Sequence, residues 1–564
     1  MTLADNPDKA RPDKARPRPL RLRGGAWVVA SVAIAGLVLL PVLALLWQAL
    51  RGSDGLWSHL AVNVLPHAIT QTAILMAGVG VLVAVIGTLS AWLVTAWDFP
   101  GRRMLEWALL LPLAVPTYIV AYAYLDLLHP LGPVQGVVRA VLGYDSPREF
   151  RLPDIRSMTG AILLLSLVLY PYVYLPTRAM FLTQAASLVE VSRALGTTRA
   201  QVFRRVALPL ARPAIAVGMS LALMETLNDI GASEFLGVRS LTIAVYTTWV
   251  TRYDLPGAAQ IALAMLVLVV ALVSLERWAR RRQRYSTGAQ RGRSFAPRVL
   301  TGRAALLALG LGLLPVMLGF AIPAAYLAVE AWERFRAAGL SASLVTEARN
   351  TFLLSALATA AVVAGGVVVS YAARARPGRA SALALRVASM GYAMPGTVLA
   401  LGILTVAAGL DRWIDATARD WLGVSTGLIL IGSGLALGYA YLARFLAISV
   451  GSVEAGFSRI PHSYDHAART LGRGPGETLR QVHLPLSRGA MAAAGLLVFV
   501  DCMKELSATL LLRPLNFETL ATHIYAEAAR GTYEDAAHAA LAIVLVGLLP
   551  VILLARIGPT GQRP

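Results

Sequence analysis

The sequence is poor in the residues that build disulfide, metal and phosphate sites. It has one cysteine, Cys502, in 564 residues, which excludes an internal disulfide framework and a cysteine-based zinc site. It has three lysines, Lys9, Lys14 and Lys504, and none follows the glycine-rich G-x-x-x-x-G pattern that cradles nucleotide phosphates. The zinc motif H-E-x-x-H is also absent. These absences predict a protein that is not an enzyme and that has no ATP-hydrolysing motif of its own.

Charged residues are scarce as well, whereas long apolar runs are abundant. The chain is 57% hydrophobic and 15% charged, while soluble proteins usually carry about a quarter charged residues. Its apolar runs repeatedly reach the roughly 20 residues that cross a bilayer as a helix. We therefore predict an all-α polytopic membrane protein of about 12 transmembrane helices. The predicted spans are 27–50, 68–96, 105–128, 157–181, 214–236, 257–276, 304–331, 349–373, 383–409, 424–448, 488–512 and 536–556.

The net charge of +20 could indicate a nucleic-acid partner, but its placement indicates membrane topology instead. Lysine and arginine concentrate in cytoplasmic loops. The N-terminal tail has seven basic residues against three acidic ones, and the segment Arg277 to Arg303 has nine arginines and no acid. If the chain crosses the membrane twelve times, both segments lie on the same side of the membrane. We expect a cytoplasmic N-terminus and no nucleic-acid partner, although the loop 129–156, which also carries arginines, would lie outside.

The spans fall into two halves whose sequences echo each other. METLNDIGASEF from Met224 corresponds to VDCMKELSATLL from Val500, and AVPTYIVAYAYL from Ala114 corresponds to YAMPGTVLALGIL from Tyr392. Two parallel halves related by pseudo-symmetry place a transport pathway at their interface. The predicted segments are a basic tail 1–26, a first half 27–276, an Arg-rich linker 277–303, a second half 304–556 and a tail 557–564.

A polar patch repeats between the apolar runs. EVSRALGTTRAQVFRRVALPLARPAI begins at Glu190, and HAARTLGRGPGETLRQVHLPLSRGAM begins at His466. In both copies a glycine, Gly196 or Gly472, precedes a proline, Pro209 or Pro485, by 13 residues, and the copies are 276 residues apart. A solvated surface loop would not need to repeat this spacing. We predict a docking element for a partner that itself comes in two copies.

Local signals predict a helix–turn–helix in each patch. A glycine such as Gly196 suits the position after a helix, where φ is positive. Thr198 and Gln201 form a capping-box pattern for a second short helix, and Pro475 suits a first helical position in the other copy. Glu477 in the first turn complements the helix dipole. The prolines, Pro209 and Pro485, are expected to end these helices before the next span.

These patches resemble the cytoplasmic coupling loop of bacterial ABC importer permeases. The matching residues are Glu190, Gly196, Leu208 and Pro209 in the first copy, and His466, Ala467, Ala468, Gly472, Leu484 and Pro485 in the second. Val191 and Ser192 replace two alanines of the family pattern, and His466 replaces its glutamate. The resemblance implies an inner-membrane permease, two copies of an ATPase subunit that hold ATP and magnesium, and a periplasmic binding protein. It implies no cofactor on this chain.

The fused halves most resemble the ferric-iron branch of that family. The stretches that carry this likeness are METLNDIGASEF and KELSATLLLRPLNF. The thiamine permease is also a fused two-half protein, and relatives import sulfate, molybdate and polyamines. The resemblance implies ferric iron as the substrate, with thiamine or another small solute as the alternative.

Acidic residues recur inside the predicted spans. Glu225 and Asp229 correspond to Asp501 and Glu505, again 276 residues apart. The i, i+4 spacing of each pair predicts that both acids lie on one helix face. Charges in a bilayer are costly and usually line a pathway, so these four acids and Lys504 are candidate pathway residues. An ion pair of Asp501 with Lys504, or hydrogen bonding between helices, remains an equal alternative, and no metal site is assigned.

One alternative belongs to a different functional class. A twelve-span ion-coupled secondary transporter would also have parallel halves and buried acids. The two cytoplasmic patches distinguish the classes, because an ion-driven carrier needs no docking helices for an ATPase.

Overall fold

The structure is a computed structural model that describes residues 25–53, 55–183, 198–281 and 297–557. The all-α prediction is confirmed. Within these ranges the strands are two short ones, β1 (Trp97–Asp98) and β2 (Arg298–Val299), which pair in parallel. This pairing joins the last part of the Arg-rich linker to the turn that follows the second membrane helix.

The helices of the first half are α1 (Gly25–Leu50), α2 (Leu56–His59), α3 (Leu65–Ala96), α4 (Arg102–Ala108), α5 (Thr117–Leu127), α6 (Pro133–Leu142), α7 (Met158–Leu169), α8 (Pro171–Thr183), α9 (Arg199–Val202), α10 (Leu208–Asn228), α11 (Gly231–Phe235), α12 (Leu241–Val250) and α13 (Leu255–Arg281). Those of the second half are α14 (Gly302–Val316), α15 (Ile322–Ala338), α16 (Ala342–Ala375), α17 (Arg379–Ala388), α18 (Gly396–Leu422), α19 (Leu435–Ser458), α20 (His462–Thr470), α21 (Pro475–Thr478), α22 (Leu484–Met503), α23 (Ser507–Leu512), α24 (Leu520–Arg530) and α25 (Tyr533–Ile557). Short 3₁₀ helices cover Leu111–Ala114 and Gly391–Ala393.

The number of membrane-spanning helices agrees with the prediction. Ten helices in the described ranges are long and apolar enough to cross a bilayer, and two bent pairs raise the total to twelve. One pair joins Arg102–Ala114 to Thr117–Leu127 at 90°. The bend falls at Val115, which precedes Pro116 and is extended, with ψ 121°. A residue before proline is pushed out of the helical region, so the sequence accounts for this break.

Two predicted spans of the second half are displaced. The predicted span 383–409 is not one helix. It covers most of α17 and the start of α18, which are separated because Met394, the residue before Pro395, is extended. The prediction 424–448 instead becomes α19, Leu435–Ser458. The apolar stretch before α19 is held outside a helix by Asp411, whose carboxylate accepts the backbone N–H groups of Ile429, Leu430 and Ile431 at 2.8–3.1 Å.

The expectation that Pro209 and Pro485 end their helices was wrong. Each short helix of the polar patch continues through a π-helical turn into the next membrane helix, giving unbroken helices Ala200–Asn228 and Pro475–Met503. The π turns are Phe203–Ala207 and Leu479–His483, and similar turns at Leu60–Val64 and Met317–Ala321 also stand just before an X-Pro pair. A proline ring clashes with the carbonyl of residue i−4. A widened turn relieves that clash without breaking the helix.

The two halves interlock rather than stand side by side. Helix α1 packs against α16, α17 and α18 of the second half, while α14 and α15 pack against α3, α4 and α5 of the first. Equivalent glycines permit the closest helix contacts within each half. A Cβ at Gly87 would lie 2.7 Å from the Cβ of Val173, and one at Gly366 would lie 2.1 Å from the Oγ of Ser449. Small residues of this kind let membrane helices approach closely.

We expect Gly366→Ala to destabilise the protein. The added methyl group would collide with Ser449, and overpacking of this kind costs about 1–3 kcal/mol. Gly310→Ala is the matched control, because a Cβ there meets nothing within 4 Å. Thermal unfolding of the purified variants in detergent should show a lower midpoint for Gly366→Ala alone. Equal midpoints would show that helices α16 and α19 can separate without loss of stability.

Candidate functional site

A small polar cavity lies between the two halves. Its volume is about 110 Å³. All five candidate pathway residues, Glu225, Asp229, Asp501, Lys504 and Glu505, line it. The structure therefore brings together residues that the sequence separates by 276 positions. Further polar lining residues are Thr117, Tyr118, Tyr172, Asn228, Tyr392, Arg444 and Ser507.

The cavity forms where two membrane helices break. Helix α10 ends at Asn228, and the short helix α11 begins at Gly231; α22 ends at Met503, and α23 begins at Ser507. The expectation that each acid pair lies on one helix face was wrong. Asp229 stands beyond the end of α10 in an extended conformation, with ψ 117°, whereas Glu225 lies inside the helix. The breaks also explain why the predicted spans 214–236 and 488–512 were placed too far along the chain.

Asp229 and Glu505 hydrogen-bond the first turns of the helices that follow the breaks. Asp229 accepts the N–H of Ser233 at 3.1 Å and the hydroxyl of Thr117. Glu505 accepts the N–H groups of Ala508 and Thr509 at 2.9 and 3.0 Å. A carboxylate in this position satisfies N–H groups that have no helical partner and complements the helix dipole. Both residues are buried. Their carboxylates therefore have a structural role, whether or not they also meet a substrate.

Asn228 joins the first half to the second across the cavity. Its side-chain oxygen accepts the N–H of Gly396 at 2.7 Å and an N–H of Arg444 at 3.1 Å. Its backbone carbonyl accepts the hydroxyl of Ser507 at 2.8 Å. Arg444 also lies 3.1 Å from the carboxylate of Glu505, and the side chains of both are buried. The break in α10 is therefore closed by groups from the opposite half.

Glu225, Asp501 and Lys504 remain partly accessible in the cavity. Glu225 accepts the phenol O–H of Tyr392 at 2.8 Å. The ammonium group of Lys504 lies 2.7 Å from Asp501, and the two side chains are 29% and 21% exposed. The ion pair weighed as an alternative thus exists for Asp501, although both partners also line the cavity. These three side chains can meet a solute more easily than Asp229 and Glu505.

The sequence analysis did not identify Arg444, Asn228 or Tyr392 as site residues. Arg444 had a usable signal, because it is the one charged residue in the apolar run 435–453. A charge inside a membrane helix marks a functional candidate by default. Asn228 and Tyr392 had no comparable signal, since their contacts arise only when the halves meet.

The second polar patch forms the predicted helix–turn–helix. Helix α20 ends before Gly472, whose φ of +75° confirms the expected left-handed position. Pro475 begins α21, and Glu477 accepts the N–H of Gly474 at 3.2 Å. In the first patch, Glu190 and Gly196 lie outside the described residues. Its capping box is confirmed, since Thr198 and Gln201 exchange backbone-to-side-chain hydrogen bonds of 2.9 and 3.4 Å.

Asp465 fixes helix α20 to the membrane helices. It accepts two N–H groups of Arg374, at the end of α16, at 3.1 and 2.7 Å. Nε2 of the buried His483, in the π turn before α22, lies 3.0 Å from the same carboxylate. Burial acts to raise the pKa of Asp465, but Arg374, by hydrogen bonding and by charge, together with the nearby His483 and His462, outweighs burial and lowers that pKa. Asp465 is therefore a charged anchor between α16, α20 and the start of α22.

The opposite face of α20 is open to solvent. His466 and Ala467 are exposed, as are the larger side chains of Tyr464 and Leu471, whereas Ala468 is buried. Pro485 is exposed, and Leu208, Pro209 and Leu484 are half-buried. An exposed short helix that carries apolar side chains offers a surface that another protein can cover. The role of the ten coupling residues in binding an ATPase stays a prediction.

Two interlocked helical halves around a polar cavity, with a membrane-sized set of apolar helices, define a polytopic membrane transport protein. The chain belongs to the binding-protein-dependent transport system inner membrane component family, whose model matches residues 83–285 and 361–559, one copy in each half. It is therefore an ABC-type permease, and membership implies ATPase and binding-protein partners. Proteins of this family are transport components and not enzymes.

Individual relatives differ in what their names say they carry. The chain is 24% identical to an Fe(3+)-transport system permease protein of Haemophilus influenzae over 94% of this chain and 97% of the relative. It is 27% identical to a putative 2-aminoethylphosphonate transport system permease protein of Salmonella typhimurium, over 46% of this chain and 93% of that protein. It is 28% identical to a sulfate transport system permease protein of the same species, over 42% of this chain and 84% of that protein.

We expect Gly472→Ala to weaken the docking of the ATPase subunit. A left-handed conformation costs a non-glycine residue about 1–2 kcal/mol, so the turn between α20 and α21 should distort. Gly476→Ala is the matched control, because neither site has an atom within 4 Å of an added Cβ and only Gly472 has a positive φ. Binding of the ATPase to membranes that contain each variant measures the effect. Equal binding by both variants and wild type would exclude the turn from docking.

Proposed function

We propose that this chain is the permease through which an ABC importer moves ferric iron from a periplasmic binding protein into the cytoplasm. The observation that carries the proposal is the composition of the cavity between the halves. Its lining has four carboxyl groups, Glu225, Asp229, Asp501 and Glu505, against two basic groups, Arg444 and Lys504. The relative named as an Fe(3+) permease, which matches nearly the whole chain, supports the same substrate.

The charge of the cavity favours a cation over the anions named for other relatives. Both basic groups lie against carboxylates of the same lining, Arg444 against Glu505 and Lys504 against Asp501. Glu225 and Asp229 are hydrogen-bonded by neutral groups, the hydroxyls of Tyr392 and Thr117. Two carboxylates therefore lack a neutralising partner of their own. An anion such as sulfate would meet this excess of negative charge in a low-dielectric path, where repulsion is stronger than in water.

The size of the cavity favours an ion over an organic solute such as thiamine. Pockets for small organic ligands usually measure about 300–1,000 Å³. A cavity of about 110 Å³ is well below that range. A single water needs about 10–15 Å³ of such a cavity, so the space can hold an ion with several waters or protein oxygens around it.

The proposal includes the partners and the direction of transport. Two ATPase subunits would dock on the two helix–turn–helix patches on the cytoplasmic side, where the N-terminus would also lie. ATP and magnesium would be held by those subunits. The binding protein would deliver iron from the periplasm to the opposite side of the membrane. A twelve-span ion-coupled carrier would not need the exposed surface of α20, so this surface favours the ATP-driven class.

Purified chain in lipid should hydrolyse no ATP until the ATPase subunit is added. The reason is that no lysine follows a glycine-rich phosphate loop. Phosphate release measured with and without the added subunit checks this expectation. Substantial hydrolysis by the chain alone would overturn the assignment of ATP to a separate subunit.

We expect Glu225→Gln to lower iron uptake by roughly tenfold or more. The substitution keeps size and hydrogen bonding but removes a charge, and a unit charge about 4 Å away contributes about 4 kcal/mol at an effective dielectric constant of about 20. Uptake of radioactive iron would be measured in cells that depend on this importer, with membrane abundance determined in parallel. Glu149→Gln is the control, because Glu149 is an exposed acid outside the cavity. If the wild-type importer takes up thiamine or sulfate and not iron, the assignment of iron as the substrate is overturned.

A further inference from the structure

Three tyrosines line the cavity with its accessible carboxylates, and one of them, Tyr118, donates to the backbone carbonyl of Lys504 at 3.5 Å. Tyr172 stands at the start of α8, and Tyr392 stands in the 3₁₀ helix Gly391–Ala393 before α18. Both phenols line the cavity, and Tyr392 donates to Glu225 at 2.8 Å. Asp501 lines the same cavity as both phenols. Four oxygen-bearing side chains from both halves thus face one small space.

The donor set matches the chemistry of ferric iron. Carboxylates suit hard cations, and a phenolate is likewise a hard anionic oxygen donor. The described residues contain no group of three or more His, Cys, Asp or Glu side chains that could hold a metal. The two accessible carboxylates alone do not make a metal site, and the phenols are the other side chains of the lining that can become anionic oxygen donors.

We propose that Tyr172, Tyr392, Glu225 and Asp501 form a transient ferric-ion site on the transport pathway. This inference rests on iron being the cargo. Each phenol binds iron only after it releases its proton to water, so binding is accompanied by the loss of two protons and involves no change of oxidation state. A ferric ion with two phenolates and two carboxylates has a net charge of −1, and Lys504, 2.7 Å from Asp501, brings the sum to zero.

Lys504 also explains how the site remains stable without iron. An uncompensated carboxylate inside a membrane is costly. The ammonium group of Lys504 neutralises Asp501 when the site is empty, and the Tyr392 hydroxyl satisfies Glu225. Incoming iron would replace these contacts with its own. Because iron must displace the Lys504 ammonium group and the Tyr392 proton, the site binds iron less tightly than an empty, unpaired set of donors would. Weak binding suits a site on a pathway, which iron must also leave.

The site is single and asymmetric although the halves are related. The alignment of AVPTYIVAYAYL with YAMPGTVLALGIL places Leu113 of the first half opposite Tyr392 of the second. Leu113 also lines the cavity but supplies no oxygen donor. The pseudo-symmetry therefore does not generate a second copy of the donor set.

A spectroscopic titration tests the proposal. Ferric phenolates absorb visible light through charge transfer, whereas ferric carboxylates do not give this band. Purified chain in lipid nanodiscs would be titrated with ferric nitrilotriacetate. Wild type should develop the band, Tyr172→Phe and Tyr392→Phe should each lose at least half of it, and the double variant should lose all of it. Tyr441→Phe is the matched control, since Tyr441 is fully buried, bonds Thr509 at 2.8 Å and is outside the lining.

The outcomes separate this site from the proposed function. No band in wild type, or a band that both Phe variants retain, would overturn the site. If a Phe variant does not fold, resonance Raman spectra of iron-loaded wild type decide: enhanced tyrosine ring modes support the site, and their absence overturns it. Cellular iron uptake by wild type is measured independently. Iron uptake that persists without the band removes the site and leaves iron as the cargo, whereas absent uptake removes the proposed function itself.

Discussion

The need to hydrogen-bond every backbone group at membrane depth is the constraint on which the site depends. Helices α10 and α22 both break inside the protein, and a break leaves carbonyls on one side and N–H groups on the other. Asp229 and Glu505 satisfy the N–H groups that follow, and Ser507 of the opposite half satisfies the carbonyl of Asn228. Each break is thus satisfied by an acid of its own half and, at Asn228, also by a group of the opposite half. The polar cavity lies at these breaks, where the two halves meet.

This constraint divides the buried acids into two kinds that look alike in the sequence. Asp229 and Glu505 are enclosed by the N–H groups and hydroxyls they accept, so their burial is part of the fold. Glu225 and Asp501 lie one turn earlier, inside intact helices, and need no backbone partner. Their carboxylates project into the remaining space, where a phenol and an ammonium group are their neighbours. The two acids of each i, i+4 pair therefore have different roles, which their spacing in the sequence does not show.

Local signals in the sequence predicted what is decided locally, and failed where tertiary contacts decide. The capping box of Thr198 and Gln201 and the positive φ of Gly472 were predicted because each depends on a few adjacent residues. The effect of Pro209 was mispredicted because a π turn accommodates a proline as well as a helix end does. Arg444 could have been noticed as the one charge in its apolar run, but its bond to Asn228 of the opposite half could not be read from the sequence. The role of Asp411 was missed because its partners lie in a loop that hydropathy marks as a span.

The unbroken helix Pro475–Met503 connects the docking surface to the cavity. Asp465 binds α20 to Arg374 and lies against His483 in the first turns of that helix. The far end of the same helix carries Asp501, which lines the cavity, and stops at the break beside Lys504. Had Pro485 ended the helix, a displacement of α20 could be absorbed at that point. Because the helix is instead continuous through the π turn, it is a direct structural connection from α20 to the break beside the residues that line the cavity.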